Sequence, residues 1–101
     1  MAPIRMTTST IKVLEVLMDA DSGDDMSVYG LDVVRKSSLG TGTVYPILSR
    51  LERIGWIRSH WDDSDTPGAR RKFYALTGEG RAGIKEAFAA RPGLVARRFA
   101  T

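Results

Sequence analysis

Arg50 and Arg53, three positions apart, and the consecutive Arg70, Arg71 and Lys72 are the side chains whose type and spacing point to chemistry. Guanidinium is a planar fork of donors that matches a phosphate or the edge of a guanine, and lysine adds a compact positive charge. Thr41, Thr43, Tyr45 and Ser49 place hydroxyls near the first pair. On a helix turning about 100° per residue, Ser49, Arg50 and Arg53 fall opposite Val44, Ile47, Leu48, Leu51 and Ile54, with Thr43 and Tyr45 at the flanks. The outward face holds no acid except the more lateral Glu52. A helix start adds backbone amides to the hydroxyls of Thr41 and Thr43. In the second group, two-residue alternation turns Arg71 away from Arg70 and Lys72. These residues form candidate contacts to the phosphates and base edges of double-stranded DNA. The acids Asp62, Asp63 and Asp65 are gathered in one loop, expected to point away from it.

Other chemistry finds little support. His60 is the sole histidine and there is no cysteine, so a disulfide framework, a thiolate metal site and a cysteine nucleophile are excluded. His60 reads as a half-exposed strand residue without the partners that catalysis or zinc would need. No catalytic constellation, cofactor site or metal site is expected. Trp56 and Trp61 read as core residues in preference to the walls of an aromatic pocket. With 43% hydrophobic residues in 101 and a formal net charge of +3, the chain suits one modest domain with an anionic partner. It has no apolar run of membrane-spanning length, and its start, Met1-Ala2-Pro3-Ile4-Arg5, lacks a signal-peptide core, so a cytoplasmic location is expected.

The elements that must hold these residues follow from caps and periodicity. Ser9 or Thr10 can cap a first helix over residues 11–18, apolar almost all round and so expected to be buried on more than one side. Ser27 is the expected cap of a second helix to about residue 36. Gly30 inside it costs about 1 kcal/mol against alanine, which a close helix–helix approach would explain. Thr41 is expected to cap a third helix, with Pro46 in or near its first turn and Gly55 as its stop. Alternation gives a strand over 57–61, and after a polar loop rich in turn formers the run 71–76 supplies a second, so the pair reads as a hairpin. Thr77 caps a last helix to about residue 90, ended by Pro92-Gly93.

This order predicts a mainly α chain with a small β-hairpin, an α+β winged helix-turn-helix with a C-terminal dimerisation helix. Residues 1–76 would form the DNA-binding part and 77–101 a short dimerisation helix and tail, in one folding unit. In such a fold the third helix enters the major groove and the hairpin reaches the flanking backbone. The apolar surplus of the first helix and the stripe of the last make Ile11, Leu14, Met18, Ile84, Ala87 and Phe88 the expected interface of a homodimer.

Three stretches carry a resemblance. Tyr29-Gly30, the run Gly42-Thr43-Val44-Tyr45-Pro46-Ile47-Leu48-Ser49-Arg50-Leu51-Glu52-Arg53-Ile54-Gly55, and Arg70-Arg71-Lys72-Phe73-Tyr74-Ala75-Leu76-Thr77-Gly78-Glu79-Gly80 resemble the PadR-like transcriptional regulators. The resemblance implies a dimer that represses genes, often relieved by a small-molecule effector near the dimer interface; a palindromic site is the expected target of such a homodimer. Many members carry a longer helical C-terminal region, so the dimerisation arm expected here is short. The competing reading is a winged-helix module that binds protein, which would expose large apolar residues on the third helix.

Overall fold

The computed structural model describes residues 4–23, 26–62 and 71–90. The order is α1 (Thr8–Asp21), β1 (Val28–Tyr29), α2 (Gly30–Ser37), α3 (Thr41–Arg53), β2 (Ile57–Trp61), β3 (Lys72–Leu76) and α4 (Gly78–Ala89). The strands form one antiparallel sheet in the order β1-β3-β2, with Ile57 opposite Leu76 and Trp61 opposite Lys72. The expected hairpin therefore gains a third strand: Val28 pairs with Tyr74 and Tyr29 with Phe73.

That strand corrects the start of α2. Ser27 does not cap it; the cap position is Tyr29, which makes no side-chain bond, and Gly30 is the first helical residue. Valine and tyrosine fit a pleated, half-buried surface, so pairing with β3 prevails over one more turn of helix. Two other caps differ from expectation. Thr7, not Ser9 or Thr10, caps α1 and accepts the Thr10 amide at 3.1 Å. Met6 before this cap and Ile11 in the next turn occupy the positions of a hydrophobic staple, both at the core. Thr41 lies inside α3, whose cap is Gly40 without a side-chain bond; the Gly40 carbonyl accepts the Thr43 and Val44 amides at 3.0 Å each. Pro46 thus sits in the second turn of α3, where it withholds the amide that would bond the exposed Gly42.

α1 packs on α2, α3 and β3. Its Val13, Leu14 and Leu17 meet Val33 of α2 and Val44, Leu48 and Leu51 of α3, all 1% exposed or less. Val28, Ile57, Tyr74, Leu76, Ile84 and Phe88 complete the core. Trp56 joins it, as expected, but Trp61 at the strand's end is 47% exposed, which corrects its assignment to the core. Among the described residues no helix is long and apolar enough to cross a membrane.

α4 is capped by Thr77, whose hydroxyl oxygen accepts the Gly80 amide at 2.9 Å and donates to the Gly55 carbonyl at 2.6 Å. The Thr77 amide bonds the Trp56 carbonyl at 2.9 Å. A Cβ on Gly80 would stand 2.0 Å from that same carbonyl oxygen, so glycine is what allows the close approach. At the far side Arg81 grips Asp21 of α1 with two bonds of 2.6 and 2.8 Å. This hydrogen bond draws the Asp21 carboxyl below its ordinary value against the opposing effect of burial, and raises Arg81 in turn.

Candidate nucleic-acid interface

α2 and α3 are joined by a turn of three residues. Ser38 takes the left-handed conformation (φ 62°), and the Ser37 hydroxyl both donates to the Val34 carbonyl and accepts the Leu39 amide. The turn sets α3 with Val44, Ile47, Leu48 and Leu51 buried. Thr41, Gly42, Thr43, Tyr45, Pro46, Ser49, Arg50 and Arg53 are exposed. The structure thus brings the expected hydroxyls and both arginines to one open surface. Glu52, the sole acid of α3, is turned aside to the sheet.

Tyr45 has two relations at once. Its ring packs over Gly30, yet it remains 36% exposed. The close helix approach foreseen at Gly30 is therefore the seat of this ring, although Gly30 begins α2 in place of interrupting it.

Lys72, the first residue of β3, and Arg71 just ahead of it lie on opposite faces, as alternation of an extended chain requires. The Lys72 ammonium stands 4.0 Å from Glu52 and over the rings of Trp61 and Tyr74. Glu52 also accepts the Ser59 hydroxyl. Burial first, and then the neighbouring Glu52 and Tyr45, push the Tyr74 hydroxyl above its ordinary value. On the other face Tyr29, Phe73 and His60 stack across all three strands, with centroids 3.9 and 5.1 Å apart. The Arg71 guanidinium lies 5.1 Å from the Tyr29 ring centroid. Arg70 and the acidic loop residues Asp63 and Asp65 fall outside the described residues. Sequence reasoning missed the parts played by Glu52, Ser59 and Tyr29; the lateral position of Glu52 on the helical wheel was the available signal.

Of the residues expected at a dimer interface, Ile11 and Met18 are half-buried, whereas Leu14, Ile84, Ala87 and Phe88 are buried in the chain's own core. The burial sought from a second copy is, for these four, supplied within one chain. Ile4 and Met6, brought against α1 ahead of its cap, add to it.

A helix-turn-helix followed by a two-stranded wing, with a third strand closing the sheet, defines a winged helix. The chain belongs to the transcriptional regulator PadR-like family, whose model matches residues 24–86. Solved relatives agree. A PadR family regulator from Eggerthella lenta is 29% identical (TM-score 0.65), with 84% of this chain and 74% of that one covered. A PadR-like transcription factor from Bacteroides fragilis is 26% identical (TM-score 0.64; 86% and 84% covered). A PadR family regulator from Clostridium difficile is 25% identical (TM-score 0.64; 94% and 100% covered). Another transcriptional regulator, 18% identical with a TM-score of 0.68, shares the fold, and this chain spans 65% of its length. A comparison with curated proteins finds no match.

Proposed function

We propose that this protein is a sequence-specific DNA-binding repressor that meets a palindromic operator as a homodimer, α3 in the major groove and the wing against flanking phosphates. The observation that carries the reading is the exposed face of α3, on which Ser49, Arg50 and Arg53 stand without an acid among them. Arginine to guanine is the commonest specific base contact, and the exposed Thr41, Thr43 and Tyr45 would reach backbone phosphates. Arg71, and Arg70 beside it in sequence, supply the wing contact. The second copy would meet the α1 surface that carries Ile11 and Met18, and a small-molecule effector would act through that contact. A role on DNA also carries the expected cytoplasmic location.

Selection of bound fragments from random duplex DNA tests the reading. Two related half-sites about 34–36 Å apart, or a multiple of that, are the expected product. No enrichment, or equal affinity for heparin, would instead favour a protein-binding module. Sedimentation of Ile11→Asp and Met18→Asp variants tests the assembly, which should dissociate.

A further inference from the structure

Groups from two strands converge on the Glu52 carboxylate. One oxygen accepts the Ser59 hydroxyl of β2 at 2.5 Å, and the other stands 4.0 Å from the Lys72 ammonium of β3. Two rings favour the same place for the cation, 5.4 Å from the Trp61 centroid and 5.7 Å from that of Tyr74. Every other charged side chain of α3 is an arginine. An acid beside a phosphate-binding surface weakens binding unless its charge is compensated, and Lys72 compensates it.

We infer that Glu52 is a positioning residue, which ties Ser59 and Lys72 to α3, fixes the wing base relative to the recognition helix, and withdraws Lys72 from the phosphates. The inference rests on the DNA-binding reading above. A helix and a wing held at set spacing favour one arrangement of groove and backbone, whereas a released lysine adds a contact that is blind to sequence.

The test compares the full chain with its Glu52→Gln, Lys72→Gln and doubly substituted variants, on the selected duplex and on random duplex, between about 50 and 200 mM salt. Glu86→Gln on α4 controls for one unit of charge, and circular dichroism checks that each variant is folded; glutamine keeps an acceptor for Ser59. Lys72→Gln should lower the preference for the selected duplex by about two- to fivefold with the salt slope unchanged. Glu52→Gln should lower it similarly and steepen the slope by about 0.9 per protomer, as Lys72 reaches a phosphate. The double variant should lose the added slope. A flatter slope in Lys72→Gln alone would place Lys72 on phosphate and overturn the inference. So would an unaltered slope in Glu52→Gln, or a change matched by Glu86→Gln. If the unsubstituted chain binds no duplex, the DNA reading itself fails and takes the inference with it; that result precedes any variant, so the two failures stay distinct.

Discussion

The ring of Tyr45 lies on Gly30 so closely that a Cβ added there would stand 3.0 Å from both its Cε1 and its hydroxyl oxygen. The contact joins the start of α2 to the flank of α3, and so fixes how the helix-turn-helix is set. Gly30→Ala should push the ring outward, and because the helix-propensity gain is small at the first helical position, the strain should prevail and lower stability by about 1 kcal/mol, less than a clash with backbone would. Tyr45→Phe in the same chain should recover part of the loss by removing one of the two close atoms. Urea unfolding of the four-member cycle measures this; strictly additive effects would show that the two residues do not press on each other.

Gly80→Ala meets a different obstacle. The atom in its way is the Trp56 carbonyl oxygen, 2.0 Å from the new Cβ, and that carbonyl is also bonded to the Thr77 amide. Backbone opposes backbone, so the loss should reach about 3 kcal/mol or more, read as a lower urea midpoint. A loss under about 1 kcal/mol would mean that α4 can lift from Trp56 at little cost.

The Asp21–Arg81 pair gives stability a dependence on acid pH. The Asp21 carboxyl titrates below its ordinary value in the folded chain, chiefly through its hydrogen bond from Arg81. The folded state therefore holds fewer protons than the unfolded one across this range, and the contribution is complete above the unfolded value of about 3.9. It is lost as pH falls through the lower folded value. Asp21→Asn should melt below the parent at pH 7, and the gap in Tm should close toward pH 2. A gap constant over that range would assign the loss to packing alone.

Recognition and attraction should separate by residue. Arg50→Ala is expected to cost about 1–3 kcal/mol on the selected duplex and much less on random DNA. Arg71→Gln should weaken both alike and flatten the salt slope by about 0.9 per protomer. Fluorescence titrations at several salt concentrations read both effects. Equal losses on both duplexes for Arg50→Ala would move base recognition elsewhere.

Much of this architecture was legible in the residues. Helical spacing gave α3 its buried and open sides, and alternation gave the opposite facing of Arg71 and Lys72. Caps were less legible, because residues 7–10 offer four hydroxyls in a row and only the docking of Ile4 and Met6 selects Thr7. β1 escaped notice since Val28 and Tyr29 fit either a helix start or a strand, and their partner lies more than forty residues on. Alternation put Trp61 on the inner face without telling how far the covering helix reaches. The apolar girth of α1 was read as a need for burial on more than one side, within the chain or against a second copy. It is largely enclosed by α2, α3, β3 and the segment with Ile4 and Met6. Wheel position put Glu52 to one side, but its partners on β2 and β3 needed the folded sheet.

α4 is anchored at Gly55 and Trp56, the residues that directly follow α3, through both the hydroxyl and the amide of Thr77. Its first turn also rests on backbone with no side chain between to act as a cushion. The end of α3 and the start of α4 therefore share one hydrogen-bonded joint. A substitution that loosens Thr77 would thus release two elements together, the stop of α3 and the cap of α4.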